Sequence, residues 1–437
     1  MKLKSLLVGF MIFSMVLLSG CTQEDDSADE TNGNDVVTGT VELDSEKVNT
    51  YFTKINEDSD GYWMRSGWFY WNAVEPTQGE FDWDAADEFI TEHFQRAECL
   101  LVVIFPYANW DQDACHGDEY VAEFDKEKGG SIKVGKPCDM EAYKTYLKAL
   151  VERYDGDGID DMPGLEIPVK YWEIMNEPSM QGGVTGGMGE ELKFFVGTTS
   201  EYVDILKASY EAIKEADPDA MVLPAGIAGM NQDFQDFWDP IYAADIGNYF
   251  DIANIHTIST DENREDLYMD KYISFLTKYD LQDKPIWITE LQLGELVEVP
   301  DDIEAFNRLM VRSSVFALAL GADKLFHIVN WGKETDSNTN PNLVYETLIS
   351  FMNDFDSIEI LEQEYIENEN DYDGLTSVIG HYKVTSGNVS FYVLWGGDVI
   401  PDEIFGTIRV TDIYGTSKII DATELLLSDD PVYVELV

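Results

Sequence analysis

The chain has 437 residues, 85 acidic against 28 basic, and a formal net charge of −57. Such a charge repels nucleic acid and anionic lipid, so neither is expected to be bound by the folded part. With 44% hydrophobic and 13% aromatic residues, there is enough apolar surface for one large core and a smaller one. A dense acidic coat suits life in high salt, where screening removes self-repulsion; a merely acidic extracellular protein is the alternative.

The first predicted element is a targeting segment, residues 1–20. Lys2 and Lys4 precede an almost unbroken apolar run at 6–18, short for a bilayer span, which ends in Leu18-Ser-Gly-Cys21. Small residues before a cysteine suit a lipoprotein signal peptidase, so cleavage is expected to leave Cys21 as a lipidated N-terminus. An ordinary signal peptide containing a cysteine is the alternative. Either route exports the protein, and the expected location is outside the cell, held to the membrane by the lipid alone. Residues 21–43 are rich in Asp, Glu, Asn, Gly and Thr and read as an acidic, disordered tether.

From about residue 60 to 355, short apolar runs alternate with longer amphipathic ones. Strands are predicted near 36–43 and at 62–69, 100–105, 169–175, 220–225, 250–256, 285–289 and 324–329. Helices are predicted at 83–95, 140–154, 201–216, 267–279, 303–321 and 343–355. Near-continuous hydrophobic strands separated by helices imply parallel βαβ units. The fold class is therefore α/β, an eightfold (β/α) TIM barrel over residues 44–360. Beyond it, short runs at 380–385, 389–395, 406–411 and 432–437 are separated by Gly, Asn and Asp. They predict a small C-terminal antiparallel β-sandwich domain, 361–437.

Cys115 and Cys138 flank a polar, Gly-rich segment, whereas Cys99 lies in an apolar run. In an exported protein a Cys115–Cys138 disulfide is expected, with Cys99 a buried free thiol. Asp155-Gly-Asp-Gly-Ile-Asp-Asp161 alternates acid and glycine at a turn, as compact calcium loops do. Asp155, Asp157 and Asp161 are thus candidate ligands for a structural calcium, a solvated acidic turn being the alternative. No cofactor is otherwise required.

Active residues of a (β/α) barrel stand at the C-terminal ends of its strands. Two of the predicted strands end in a carboxylate there, one in Asn176-Glu177-Pro178 and one in Thr289-Glu290. Carboxylates directly after two apolar strands are costly without a partner or a task. A facing pair is the apparatus of glycosyl transfer, one acid protonating the leaving oxygen and the other, ionised, attacking the anomeric carbon.

Four segments carry a resemblance to known enzymes: Trp71-Asn-Ala-Val-Glu-Pro-Thr-Gln-Gly-Glu-Phe-Asp-Trp83, Lys170-Tyr-Trp-Glu-Ile-Met-Asn-Glu-Pro178, Phe250-Asp-Ile-Ala-Asn-Ile-His256 and Lys284-Pro-Ile-Trp-Ile-Thr-Glu290. Over roughly residues 60–355 the chain resembles clan A glycoside hydrolases, closest in character to families 5, 39 and 42. The ending Pro431-Val-Tyr-Val-Glu435 is similar to their β-sandwich tails. The resemblance implies a retaining mechanism on a poly- or oligosaccharide, with Glu177 as general acid/base and Glu290 as nucleophile. It further implies that Asn176 holds the sugar 2-hydroxyl and that Arg65 keeps the nucleophile ionised. By the same resemblance His256 stands near the carboxylate pair, and Trp331 offers an aromatic floor for the sugar. One departure is His256-Thr-Ile-Ser259, where many relatives carry an aromatic residue shortly after the histidine.

Trp68, Trp71, Trp110 and Trp331 are candidates to line a cleft for a β-linked glucan, mannan or xylan. A non-catalytic carbohydrate-binding lipoprotein, or a sugar receptor serving a transporter, would share the anchor and tether. It would have no reason to keep glutamates after two strands. The anchor has its own test: expressed in a host with lipoprotein processing, the protein should partition into detergent with the membrane. Cys21→Ser should release or misprocess it, and a mature wild-type protein without lipid by mass spectrometry would contradict the expectation.

Overall fold

The computed structural model describes residues 52–54, 63–94, 97, 99–125, 130–182, 192–259, 265–293, 302–328, 341–352, 355–367 and 375–437. Cys21, the tether, the strand expected near 36–43 and Trp331 lie outside the described residues. Eight largely apolar strands build the larger part. They are β1 Phe52–Lys54, β2 Trp63–Tyr70, β3 Cys99–Phe105, β4 Tyr171–Ile174, β5 Met221–Pro224, β6 Ala253–Ser259, β7 Ile286–Leu293 and β8 Ala322–His327. Two four-stranded parallel sheets, in the orders β2-β3-β4-β5 and β1-β8-β7-β6, share them. A parallel bridge from Ile227 to Ile255 joins the sheets on one side, and β1 lies beside β2 on the other. The strands therefore follow one another around an eightfold barrel. Its first strand is Phe52–Lys54, not the segment near 36–43, because Phe52 is the residue that pairs with Leu325 of β8.

Helices follow β2 to β8 in turn: α1 Asp84–Phe94, α2 Met140–Tyr154, α3 Thr199–Ala216, α4 Gln232–Tyr242, α5 Met269–Lys278, α6 Ile303–Ala319 and α7 Pro341–Met352. Only α4 is absent from the predicted set. Pro240, a residue that usually ends a helix, sits in its last turn and masks the period. Its buried Phe234, Trp238 and Ile241 nevertheless recur at helical spacing, and Asn231 caps it by accepting the Phe234 N–H at 3.1 Å. No helix among the described residues is long and apolar enough to cross a membrane.

The barrel floor is a separate apolar cluster of Trp63, Cys99, Leu101, Leu223, Ile252, Trp287 and Phe326. Lys324 extends over it, its Nζ 4.0 Å from the Trp63 ring centroid and 5.1 Å from that of Trp287. Side chains alternate along a strand, so Arg65 stands one layer above Trp63, Glu173 above Tyr171 and Thr289 above Trp287. The filled floor thereby sets the height at which polar groups emerge.

The C-terminal part is one antiparallel sheet: β9 Ser357–Glu367, β10 Leu375–Ser386, β11 Val389–Trp395, β12 Thr407–Asp412, β13 Ser417–Asp421 and β14 Val432–Leu436. Its spatial order is β9-β10-β11-β14-β12-β13, and it begins at Ser357, ahead of the expected boundary at 360/361. Alternation along β11 sends Phe391, Val393 and Trp395 into the barrel core cluster, and Tyr392 and Leu394 into an outer cluster with Ile404, Ile408 and Leu425. Tyr433 stacks on Phe351 of α7 with ring centroids 4.2 Å apart.

Arg312 of α6 fastens the two parts. Its buried guanidinium donates to Glu265 Oε1 at 3.2 Å, to the Ser377 carbonyl at 3.1 Å and to the Asp429 carbonyl. Glu265 Oε2 in turn accepts the Ser377 N–H at 2.7 Å. Removing one member of a buried, hydrogen-bonded ion pair strands the other. Arg312→Ala should therefore cost about 3–5 kcal/mol of unfolding free energy in a denaturant titration. A loss below about 1 kcal/mol would mean that solvent already reaches the pair.

Candidate active site

A single guanidinium organises the layer above the barrel floor. Arg65 on β2 grips Glu173 on β4 at two points, Nε to Oε2 at 2.7 Å and Nη2 to Oε1 at 2.9 Å. Its Nη1 donates to Glu290 Oε1 at 2.5 Å, and Nη2 also donates to Asn176 Oδ1 at 2.9 Å. Glu173 is fully enclosed, Glu177 nearly so, while the Glu290 side chain keeps 17% exposure toward the mouth.

Local backbone irregularities deliver the two outer carboxylates. Past β4, Met175 and Glu177 adopt left-handed conformations with φ of 71° and 37°, costly for residues with a Cβ. The Met175 N–H is held by the Ile104 carbonyl at 2.9 Å, and the Glu177 carbonyl accepts the Met180 N–H at 2.9 Å. Glu290 does not end its strand as expected, since β7 continues to Leu293. An irregularity delivers it instead: Ile255 pairs with Ile288, but His256 pairs with Glu290, one residue extra on β7. Such a bulge re-aims side chains, so Thr289 and Glu290 both serve the site.

His256 on β6 is completely buried, with Nδ1 2.7 Å from Glu177 Oε1 and 3.7 Å from Glu290 Oε2. Its Nε2 lies 3.0 Å from Thr289 Oγ1 and 3.6 Å from Glu173 Oε1. Gly226 makes room for the ring, because a Cβ there would come within 2.1 Å of His256 Cδ2.

Burial opposes charge on Arg65, yet the neighbouring Glu173 and Glu290 hold it protonated well above its usual range. Burial likewise pushes Glu173 upward, but Arg65 and the nearby His256 bring its pKa down to about 2. For His256, burial is outweighed by the charge of Glu290, by the nearby Glu173 and by the hydrogen bond to Glu177, which raise it to about 9. Arg65 and protonated His256 thus face three carboxylates, and a buried cluster near neutrality holds one carboxyl proton. Burial lifts the pKa of Glu177, and Arg65 makes its hydrogen bonds to the other two glutamates, so the proton resides on Glu177.

The structure brings together Arg65, Asn176, Glu177, His256 and Glu290 and adds Glu173, Thr289 and Asn254. Glu173 carried a signal in the sequence, a lone acid inside the apolar run Tyr171-Trp-Glu-Ile-Met175 with the parity of an inward face. Thr289 and Asn254 carried none, being ordinary polar residues within strands. Trp71 lines no cleft: it is fully buried, edge-on to Trp110 at 5.0 Å, with its Nε1 donating to Glu75 Oε2 at 2.6 Å. The side chain of Trp68 lies outside the described residues.

Cys115 and Cys138 are disulfide-bonded and Cys99 is free and buried. Just ahead of the closed loop, the buried Asp111 carboxylate accepts the N–H groups of Cys138 and Asp139 at 2.9 and 2.8 Å. Asp155, Asp157 and Asp161 lie together, one carboxylate oxygen of each within 4.8 Å of the others. They accept backbone N–H groups of the turn itself: Asp155 from Asp157, Asp157 from Ile159, and Asp161 from Gly156 and Gly158.

No protein-family model matches the chain, and no curated protein matches its sequence. Solved structures do match. A family 39 glycoside hydrolase from Bacteroides cellulosilyticus WH2 is 13% identical, covers 91% of this chain and 82% of its own, and has a TM-score of 0.58. The chain shares the fold of that structure, a parallel (β/α) barrel followed by an antiparallel β domain. A glucosidase from Croceicoccus marinus is 12% identical, with 89% and 96% coverage and a TM-score of 0.54. A family 39 β-xylosidase from Caulobacter crescentus has the same identity of 12%, with 89% and 96% coverage and a TM-score of 0.52.

The charge cluster has a consequence for stability. His256 titrates near 9 in the fold against an ordinary 6.5. Its contribution is complete below pH 6.5 and disappears as the pH rises through 9. The Tm of the wild type should fall across that window, and His256→Gln should flatten this part of the curve. Parallel Tm–pH curves for the two proteins would contradict the assignment.

Proposed function

We propose that the protein is a retaining glycoside hydrolase acting on O-glycosidic, β-linked bonds of a poly- or oligosaccharide. One observation carries the reading: a carboxylate oxygen of Glu177 and one of Glu290 lie within 4.8 Å of each other. Retaining enzymes space their carboxyl groups ~5–5.5 Å apart, whereas inverting enzymes leave ~6.5–9.5 Å for a water. The fold shared with a family 39 hydrolase, a glucosidase and a β-xylosidase supports the same class.

In this reading Glu290, held by Arg65 and partly open to the mouth, attacks the anomeric carbon as a carboxylate. The bond to the leaving oxygen breaks as Glu177 gives that oxygen its proton. Glu177, now ionised, then takes a proton from water, whose oxygen displaces Glu290 and releases the sugar with its configuration retained. Asn176 has its Oδ1 engaged by Arg65, so the donor it offers a sugar 2-hydroxyl is Nδ2. Trp331 would supply the aromatic floor. The Leu18-Ser-Gly-Cys21 sequence extends the proposal to location, an enzyme lipid-anchored through Cys21 on the outer side of a membrane.

Separate substitutions distinguish the two glutamates. Glu290→Ala should lower turnover by several orders of magnitude, and azide should restore it with inverted product. Glu177→Ala should slow substrates with poor leaving groups far more than activated aryl glycosides, and azide should then give retained product. Near wild-type activity in both variants would refute the site.

A further inference from the structure

The polar chain behind His256 ends in a group that can only accept. The Pro224 carbonyl takes a hydrogen bond from Asn254 Nδ2 at 3.0 Å, which leaves Asn254 Oδ1 facing Thr289 as an acceptor. Thr289 must therefore donate its hydroxyl proton to Asn254 Oδ1, at 2.7 Å. The Thr289 oxygen, its proton committed, can only accept from His256 Nε2 at 3.0 Å. All of these side chains are fully buried, so no solvent competes for the bonds.

We infer that Thr289 and Asn254 are positioning residues that commit His256 Nε2 to donate, so that the one proton His256 exchanges lies on Nδ1, facing Glu177. The inference rests on the proposed hydrolase reading for its catalytic meaning, but not for the tautomer itself. When His256 is neutral, bare Nδ1 accepts from protonated Glu177 at 2.7 Å and keeps the acid loaded. When His256 is charged, Nδ1–H stabilises the Glu177 carboxylate left after proton transfer. The opposite tautomer, with the proton on Nδ1 and Nε2 bare, would favour ionised Glu177 and unload the acid early. Gly226 supports the arrangement by letting the ring lie against its backbone. Among the described residues, the charged or titratable groups facing the ring are Glu173 and Glu177 from β4 and its end, and Glu290 from β7, with Arg65 from β2 bonded to Glu173 and Glu290.

The test compares Thr289→Val, which keeps shape and loses the acceptor, with Thr289→Ser, which keeps the hydroxyl. The basic limb of kcat/KM for an unactivated glycoside should move down by about one pH unit in the valine variant. It should stay in place in the serine variant. An unmoved limb in Thr289→Val, or equal shifts in both variants, would overturn the inference by reducing Thr289 to packing. Nitrogen-15 spectra of histidine-labelled full-length protein supply a readout independent of turnover, with His256 assigned by its loss in His256→Gln. Above the His256 titration the wild type should carry its proton on Nε2, and Thr289→Val should move it to Nδ1. A wild-type Nδ1–H tautomer would overturn the inference outright. Absence of hydrolysis by a wild type with the Nε2–H tautomer would instead refute the hydrolase reading alone.

Discussion

One buried cation, Arg65, is the contact on which the rest of the site depends. Two of its nitrogens clamp Glu173, one of these also meets Asn176, and the third reaches Glu290. A guanidinium presents its donors in a fixed plane, so gripping Glu173 at two points leaves the direction of the remaining donor little freedom. Glu173 therefore orients Arg65, and Arg65 orients the outer carboxylate. A lysine could neutralise the same charge but could not hold three partners in one geometry.

That clamp is affordable because the barrel beneath it is dry and filled. The aromatic floor of Trp63, Trp287 and Phe326 excludes water below, and the polar layer satisfies its own donors and acceptors above. In such surroundings each unmatched charge is expensive, so the cluster settles near neutrality with a proton on Glu177. Neighbouring carboxyls thus acquire different roles from their contacts. Glu290 has a permanent cation against it; Glu177 has an imidazole.

Chain geometry concentrates its irregularities where these contacts are made. Left-handed Met175 and Glu177 follow β4, and the extra residue of β7 falls beside Glu290. The C-terminal sheet stays clear of this layer. It covers α6 and α7 and is tied down by Arg312, Glu265 and Ser377, a second buried ion pair that is structural. Around both, regular helices and strands supply the rigidity that strained residues need to persist.

Hydrophobic periodicity in the sequence was sufficient for the barrel, because seven of its strands are buried on both faces and read as apolar runs. It failed at β1, three residues long, and at α4, where Pro240 interrupts the pattern. The pair Glu177 and Glu290 was legible because a carboxylate at the edge of an apolar strand has few structural explanations. Asn176, Arg65 and His256 were legible through resemblance. Glu173 was visible only as an anomaly within its strand, and Thr289 and Asn254 were not visible at all. Their parts are relational: a threonine becomes an acceptor for His256 only because Asn254, anchored on Pro224 from another strand, takes its proton. Sequence determines which groups are present and, through periodicity, which face they occupy. Which nitrogen holds a proton depends on contacts between β5, β6 and β7, and those exist only once the barrel has closed.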